Sequence, residues 1–456
     1  MSWIAMKMLM GDRAKFFGIV LGLTFASLLI TQQGSIFCGL MCRTAGQIYD
    51  ITGADLWVMD ANVRFIDDVK PMIENNLYRI RGVEGVKWAV PLYKGNARAK
   101  LNSASIDPAT HRAVKHQIIE QVVLLGLDDS SLVGAPPPER IIVGKLTDLR
   151  KPDAVLVDFM RLAKLYPGEP WEQLTQRKQQ TWGTTFANFT RSLGSFPKQL
   201  YRLLDHTLSG SSQDQTAEPK TVDEEAERKK AFYARFIGRE LEMNDHRAVI
   251  VGVCEATPTF QSNAVMYTTY SRAKRFIPQE RKLLSYVLAK AEEGTKPESV
   301  AMAIKRQTGL KARTSQEFIW DTIYYYAQYT GIPINFGITT LLGFLVGTAI
   351  AGQTFYNFTI ENLKQFGALK AMGATNLRIV SMILLQAMVV GLLGYGMGVG
   401  LGALFGSSTK GGELAFYTPW QLLPVTAVAV VMICILSSIL SVRRVMVLEP
   451  AVVFRG

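Results

Sequence analysis

The stretch that decides the fold is Ile379–Thr409, IVSMILLQAMVVGLLGYGMGVGLGALFGSST, which contains no Asp, Glu, Lys, Arg or His. A helix needs ~20 apolar residues to cross a hydrocarbon core of about 30 Å, so this stretch is long enough to span a membrane. Three further uncharged stretches of this kind are Phe16–Cys42, Thr322–Ile360 and Leu414–Val442. Four such stretches in one chain are not typical of the buried helices of a soluble protein. We therefore predict four membrane-spanning helices.

The first stretch has an alternative interpretation as a secretory signal peptide, because Lys7, Arg13 and Lys15 precede it. Its uncharged length, however, exceeds the usual apolar region of about 7–15 residues in a signal peptide. No clear A-x-A-like cleavage site follows it. We therefore expect a retained membrane helix.

Basic residues recur beside the predicted helices in three segments of the chain. They precede the first helix (Lys7, Arg13, Lys15), lie between the second and third (Lys364, Lys370, Arg378) and follow the fourth (Arg443, Arg444, Arg455). The loop between the third and fourth helices contains only Lys410 and Glu413 as charged residues. Because cytoplasmic loops carry an excess of Lys and Arg, we predict a multi-pass protein of the bacterial inner membrane with both termini in the cytoplasm.

The charge pattern also divides the chain into domains. We predict a cytoplasmic N-terminus and first helix with a stalk (1–44), an extracytoplasmic α+β domain (45–318) with a partly mobile insertion (168–232), a stalk and second helix (319–360), a cytoplasmic coupling helix (361–378), a third helix (379–409), a fourth helix (414–442) and a cytoplasmic tail (443–456). The fold class is thus an α-helical membrane protein with four transmembrane helices and an α+β extracytoplasmic domain.

Within residues 45–318, strand-like and helix-like patterns alternate. Ala54–Met59, Gly85–Leu92 and Arg247–Val253 are apolar runs typical of strands. Lys282–Ala291 and Pro297–Thr308 are interpreted as helices, the second of them ending at Gly309. In the insertion, residues 209–230 are low in hydrophobicity and rich in Ser, Glu and Lys, which indicates a mobile extension.

Composition excludes several function classes. The formal net charge is +12, but about half of this excess belongs to the three cytoplasmic segments, so nucleic-acid binding is not supported. The four cysteines are Cys38, Cys42, Cys254 and Cys434, and the central domain proper contains only Cys254, which excludes an internal disulfide framework there. The four histidines lack the spacing of metal ligands, and we predict no metal site.

The chain also lacks the residues that would power transport. Apart from Cys and Tyr, the four uncharged stretches contain no side chain that can titrate, whereas ion-coupled transporters need charged residues inside the membrane. No G-x-x-x-x-G-K-[ST] motif for nucleotide binding occurs. Any energy must therefore come from a partner.

Small residues recur at four-residue spacing in three of the predicted helices. These glycines are Gly394, Gly398, Gly402 and Gly406 in the third helix, Gly343 and Gly347 in the second, and Gly18 and Gly22 in the first. Such spacing lets helix backbones approach closely, which drives helix association in lipid. We predict a packing interface, either within one subunit or between subunits.

The most specific stretch is the cytoplasmic connection Glu361–Ala374, ENLKQFGALKAMGA. Leu363, Phe366, Leu369 and Lys370 stand at helical i, i+3 and i+4 spacing, and Gly373 closes the helix. The pattern indicates a short amphipathic helix at the membrane face. It is either a contact for a partner or an interfacial turn without one.

This stretch resembles the conserved cytoplasmic loop of FtsX/MacB-like ABC transporter permeases, whose pattern is Arg-Glu-Ile-Gly-x-Leu-Arg-Ala-x-Gly-Ala. Gln365 departs from it, because the family usually has Glu there. The form Phe-Gly-Ala-Leu-Lys-Ala-Met-Gly is closer to the DevC-like branch, and the tail Leu448–Arg455 is also similar to the tail of this family.

The resemblance implies a non-catalytic permease that forms a dimer and is driven by two copies of an ABC ATPase on a separate chain. ATP and Mg would bind to that ATPase, and this chain would bind no cofactor. The resemblance further implies mechanotransmission from the cytoplasmic helix to the extracytoplasmic domain, a periplasmic adaptor protein as partner and contact with membrane lipids. The residues expected to contact the ATPase are Gln365, Phe366, Gly367, Leu369, Lys370, Met372 and Gly373.

Three functions agree with the sequence. The first is a permease for efflux or for extraction of an envelope substrate. The second is a regulator of an envelope enzyme, as FtsX is. The third is a membrane-anchored binding or sensor protein without an ATPase. The large central domain, with its insertion, favours export because a minimal regulator needs less.

Overall fold

A computed structural model describes residues 2–11, 13–106, 113–159, 162, 165–166, 219–277, 284–409 and 414–446. Residues 168–218 of the predicted insertion and the tail beyond residue 446 therefore lie outside the described residues. The chain divides into two compact units, Met1–Cys42 with Tyr326–Gly456, and Arg43–Tyr325. We call the first the membrane unit and the second the α+β domain, and we describe each by itself.

The membrane unit is built from helices. They are the N-terminal helix Ser2–Gly11, membrane helix 1 Arg13–Thr44, membrane helix 2 Ile332–Glu361, the coupling helix Leu363–Ala371, membrane helix 3 Asn376–Thr409 and membrane helix 4 Leu422–Met446. In the described part of the chain, four helices are long and apolar enough to cross a membrane. The predicted fold class is confirmed.

The second uncharged run, Thr322–Ile360, contains parts of two helices rather than one. A helix of the α+β domain ends at Tyr329, and membrane helix 2 begins at Ile332. Pro333 lies in the first turn of membrane helix 2. Proline fits the first turn of a helix because it lacks an N–H donor there, and it interrupts a helix that runs through it.

The fourth uncharged run, Leu414–Val442, also differs from its helix. Membrane helix 4 begins at Leu422, eight positions later than predicted, and continues to Met446. Pro419 lies in the non-helical segment before it. A proline disfavours the helical conformation of the residue before it, which explains why the helix starts only after this position.

The α+β domain alternates strands and helices along the chain. Its helices are α1 Gly46–Asp50, α2 Asn75–Arg81, α3 Pro219–Ala234, α4 Tyr270–Phe276, α5 Pro297–Thr308 and α6 Ser315–Tyr329. Its strands are β1 Leu56–Met59, β2 Val86–Ile106, β3 Ala113–Leu127, β4 Ile141–Val143, β5 Ala154–Asp158, β6 Glu240–Met243, β7 His246–Cys254, β8 Ala264–Thr269, β9 Tyr286–Ala291 and β10 Lys311–Thr314.

The described strands form one mixed sheet in the order β10-β1-β9-β2-β3-β8-β5-β7-β4, with β6 pairing to β2 and β7. β2 and β3 are antiparallel, whereas β3 pairs parallel with β8 and β5 parallel with β7. Side chains of β5 alternate between two cores, with Val155 and Val157 in one and Ala154 and Leu156 in the other. The sheet is therefore covered on both faces, which explains the apolar run 154–157 of this strand.

Several predicted elements are present. Leu56–Met59 and His246–Cys254 are strands, and the helix Pro297–Thr308 ends at Gly309, which has a left-handed φ of 73°. The prediction of a helix at Lys282–Ala291 is wrong, because Tyr286–Ala291 is strand β9 between β1 and β2. A short apolar run that is buried on both sides cannot be assigned to helix or strand by periodicity alone.

The predicted mobile extension at residues 209–230 also differs in its described part. Pro219–Ala234 forms helix α3. Phe232, Tyr233 and Phe236, at the end of this helix and just beyond it, are buried in the domain core. The burial of these rings stabilises a helix that its polar composition alone does not predict.

Candidate functional site

The apolar side of the coupling helix is covered by the chain itself. Phe366 is fully buried and Leu369 is 8% exposed. Both belong to one apolar cluster with Ala5 of the N-terminal helix and with Ile379 and Met382 near the start of membrane helix 3. Burial of each large side chain is worth about 1.5–3 kcal/mol, so this cluster fixes the coupling helix to membrane helix 3.

Gly373 ends the coupling helix with a sharp reversal of the backbone. Its φ of 90° lies in the left-handed region, which a glycine adopts without steric cost. The Ala374 N–H donates to the carbonyl of Leu369 at 3.0 Å, and the Met372 N–H donates to that of Ala368 at 3.0 Å. These bonds satisfy the last carbonyls of the helix and turn the chain into membrane helix 3.

A buried amide links membrane helix 3 to the N-terminal helix. Gln386 is fully buried, and its Nε2 donates to the carbonyl oxygen of Ala5 at 2.7 Å. A hydrogen bond in an apolar environment is costly to break because its groups then lack partners. Sequence reasoning missed this residue. Its signal was a single amide in an otherwise apolar helix.

The other side of the coupling helix faces outward. Lys364 and Gln365 are exposed. Met372 is 75% exposed, and Leu377, at the start of membrane helix 3, is 80% exposed. This surface combines two large apolar side chains with polar and basic ones. Such a mixture is typical of contact sites between proteins.

The structure thus separates the seven predicted docking residues. Gln365, Met372 and Gly373 are exposed, Lys370 is half-buried, and Phe366, Gly367 and Leu369 are buried. Phe366 and Leu369 pack against the N-terminal helix and membrane helix 3, and the docking role of the seven residues stays a prediction. An amphipathic pattern marks an apolar face, but it does not say whether this chain or another one covers it.

An ion pair joins the beginning of membrane helix 1 to the end of membrane helix 2. The ammonium group of Lys15 donates to Oε2 of Glu361. Next to it, Asn362 Nδ2 donates to the carbonyl of Phe358 at 2.8 Å. The coupling helix therefore starts from a point that is tied to membrane helix 1 as well.

The predicted glycine ladder of membrane helix 3 packs within the chain. A Cβ atom added at Gly394 would lie 2.6 Å from Cβ of Leu23, and one added at Gly398 would lie 2.6 Å from Cβ of Ser27. Gly402 faces Thr31 at 3.3 Å, and Gly406 faces the ring of Phe416. Membrane helices 1 and 3 therefore approach at a distance that only glycine permits.

The glycines of the first two membrane helices pack on each other's helix. Gly343 and Gly347 of membrane helix 2 face Leu29 and Ala26, whereas Gly18 and Gly22 of membrane helix 1 face Thr354 and Ile350. Membrane helix 1 thus contacts both neighbours through small residues. The sequence left open whether these glycines pack within one chain or between chains. The contacts described here lie within one chain.

A stripe of hydroxyl residues on membrane helix 1 accompanies this packing. Ser27 Oγ donates to the carbonyl of Tyr395 at 3.3 Å. Ser35 Oγ and Thr418 Oγ1 lie 2.8 Å apart, within hydrogen-bond distance. Thr31 stands between them at the same spacing and is buried. Interhelical hydrogen bonds of this kind stabilise helix pairs in lipid. The i, i+4, i+8 spacing was a sequence signal that the prediction did not use.

In the α+β domain, helix α1 follows membrane helix 1 in sequence and is held by a buried carboxylate. Asp50 accepts a bond from the Thr257 N–H at 2.6 Å and another from Arg140. The Thr257 hydroxyl donates to the same carboxylate. The Asp50 side chain is 2% exposed, and burial raises its pKa, while the bonds from Thr257 and Arg140 oppose that shift.

At the other end of the domain, helix α6 precedes membrane helix 2 in sequence and has its own anchor. Asp321 accepts bonds from Lys311 Nζ at 3.0 Å and from Arg313 Nε at 3.1 Å. The ring of Tyr325 stacks on Phe65 with centroids 4.0 Å apart. Both chain segments that lead to membrane helices are therefore fixed to the α+β domain by polar and aromatic contacts.

Among the described residues, no group of three or more His, Cys, Asp and Glu side chains could hold a metal ion. The described cysteines are all free. Cys254 is buried, and desolvation raises the pKa of its thiol. A buried neutral thiol of this kind is not reactive.

Comparisons with known proteins agree with the membrane part of this description. Residues 337–450, which include the coupling helix, match the family model of the FtsX-like permease C-terminal domain. The resemblance to FtsX-like permeases that the sequence indicated is thus confirmed for this part of the chain. No curated protein matches the chain.

Two solved structures are similar to part of the chain. One is the extracellular domain of the noncanonic ABC-type transporter YknZ from Gram-positive bacteria, with 12% identity over 57% of this chain and 98% of that one, and a TM-score of 0.30. The other is the periplasmic region of MacB from Actinobacillus actinomycetemcomitans, with 10% identity over 61% of this chain and 95% of that one, and a TM-score of 0.32.

The first prediction concerns the glycine ladder. We expect Gly398→Val to destabilise the membrane unit by about 1–3 kcal/mol, because the added atoms collide with Ser27 and the Leu28 backbone. Gly400→Val is the matched control, since a Cβ added at Gly400 meets nothing within 4 Å. Thermal unfolding in detergent measures both. Equal unfolding temperatures for the two variants would contradict the packing.

The second prediction concerns Asp50. Because its pKa is raised in the folded domain, the folded state holds the proton more strongly than the unfolded chain does, and the contribution of Asp50 to stability falls as pH rises. Asp50→Asn removes this titration. We therefore expect the unfolding temperature of the variant, relative to the unaltered protein, to rise between about pH 4, the ordinary pKa of Asp, and neutral pH. A difference that falls over this range would refute the assignment.

Proposed function

We propose that this chain is the permease subunit of an ABC-type exporter and transmits ATPase-driven motion from the cytoplasmic face to an extracytoplasmic domain. The observation that carries the proposal is the two-sided coupling helix within a region that matches an FtsX-like permease domain. One side of this helix is bound to the N-terminal helix and membrane helix 3. On the other side, Met372 just after this helix and Leu377 at the start of membrane helix 3 are exposed and available to a partner.

In this proposal the exposed side receives the ATPase. Gln365, Met372 and Gly373 contact it directly, with Lys364, Lys370 and Leu377 beside them. Phe366, Gly367 and Leu369 have a different role, which is to pass displacement of the coupling helix to membrane helix 3. A packed apolar contact suits this role because protein interiors have low compressibility and transmit strain.

The membrane helices then carry the motion. Membrane helices 1 and 3 are locked together at Gly394 and Gly398, so a displacement of one moves the other. Membrane helix 1 continues in sequence into α1, which Asp50 anchors, and membrane helix 2 follows α6, which Asp321 anchors. Mechanotransmission needs such anchors at both chain connections.

The energy in this scheme comes from ATP and Mg on a separate ABC ATPase, of which two copies serve a permease dimer. The basic residues beside the membrane helices support a topology with the coupling helix and both termini in the cytoplasm and the α+β domain outside the inner membrane of a bacterial cell. A periplasmic adaptor would then be the outer partner. The size of the α+β domain supports efflux or extraction of an envelope substrate over regulation of an envelope enzyme.

The third prediction tests docking. We expect Met372→Asp to weaken association with the partner ABC ATPase by about tenfold or more, because a charge replaces an apolar contact on the exposed face. The measurement is the amount of ATPase that co-purifies in detergent, together with its ATP hydrolysis.

Met302→Asp is the matched control, since Met302 is 56% exposed on α5 of the α+β domain, far from this surface in sequence. Undiminished association of the Met372→Asp variant would contradict the docking role. An ATPase that co-purifies with an envelope hydrolase instead of an adaptor would favour the regulatory function.

A further inference from the structure

The N-terminal helix lies beside the coupling helix and shares a cleft with it. The cleft has a volume of about 530 Å³. One wall consists of Trp3, Lys7, Met8 and Gly11 of the N-terminal helix, and the other of Glu361, Asn362 and Gln365. All of these residues belong to the membrane unit.

The N-terminal helix, which forms one wall of the cleft, is held by contacts with the coupling helix and membrane helix 3. Ala5 packs with Phe366, and its carbonyl accepts the bond from Gln386. The opposite face of the same helix carries Trp3, Lys7 and Met10 at i, i+4 and i+7, the spacing of one helical stripe. Trp3 is 71% exposed and Met10 is 60% exposed. This stripe is thus fixed on one side and open on the other.

The charge of the cleft favours an acidic occupant. Glu361 is paired with Lys15, so its charge is compensated. Lys7 lies over the ring of Trp3, with Nζ 4.8 Å from the ring centroid, and Lys364 is exposed next to Gln365. A cation beside a large aromatic ring suits a partner segment that carries a carboxylate and an apolar side chain.

We infer that the N-terminal helix supplies the second half of the ATPase-docking surface and that the cleft receives an acidic segment of the ATPase bearing an apolar side chain. This inference rests on the proposed function. Two observations select a protein partner over the acyl chains of a membrane. The polar groups of Asn362 and Gln365 line the cleft, and the cleft is continuous with the outward side of the coupling helix.

Photo-crosslinking in cells tests this inference on the full chain. p-Benzoylphenylalanine replaces Trp3, Met372 or Trp420 in three separate variants. Trp420 is the matched control, since it is a tryptophan of similar exposure, 73%, in the segment between membrane helices 3 and 4. Mass spectrometry then identifies whether the crosslinked protein contains the Walker A motif of an ABC ATPase.

Crosslinks to an ABC ATPase from positions 3 and 372, but not from 420, are the expected result. Crosslinks from position 372 alone would overturn the inference and leave the proposed function intact. Lipid adducts in place of ATPase at position 3 would overturn it as well. No ATPase at either position would overturn both.

A binding measurement with the ATPase so identified tests the charge. We expect Lys7→Gln to weaken binding of the ATPase to the permease in nanodiscs by about tenfold, because glutamine cannot form the ion pair that Lys7 forms with a carboxylate of the ATPase. Lys305→Gln, at an exposed lysine of α5, is the matched control and should leave binding unchanged. Equal affinities of the two variants would overturn the assignment of an acidic occupant.

Discussion

The structure depends on the close approach of membrane helices 1 and 3. In lipid, apolar side chains gain nothing by leaving the solvent, so helices associate through backbone proximity and hydrogen bonds. Gly394 and Gly398 provide that proximity, because no side chain stands between them and membrane helix 1. Ser27 adds a hydrogen bond at the same level. The N-terminal helix and the coupling helix both pack on membrane helix 3.

One side of the coupling helix is buried and the other exposed, because the buried side packs on membrane helix 3. Membrane helix 3 holds Phe366 and Leu369 against Ala5, and Gln386 holds the N-terminal helix in place. The apolar face is therefore internal, and the contact surface consists of what remains exposed.

The α+β domain complements this arrangement through its two anchored connections. Asp50 and Asp321 each accept bonds from more than one donor, and they lie in the two segments that lead to membrane helices. Removing the donors around Asp50, which is buried and accepts several bonds, is costly because its charge would be left without partners.

The sequence by itself determined the parts that follow from composition and local chemistry. An uncharged stretch such as Ile379–Thr409 is stable only in a membrane or in a protein core. Gly373 ends the coupling helix because glycine adopts the left-handed backbone conformation without steric cost. The same local rules located Pro297–Thr308 and its end. They failed for Tyr286–Ala291, where only the neighbouring strands decide the conformation.

What only the tertiary structure decided is which surfaces are covered, because the periodicity of a helix marks an apolar face without identifying the group that packs on it. Phe366 matched a docking pattern and turned out to be internal, whereas Met372 remained exposed. Gln386 and Asp50 lie far in sequence from their partners Ala5 and Thr257. Contacts across such separations depend on the path of the whole chain, and that path is fixed by packing rather than by any local signal.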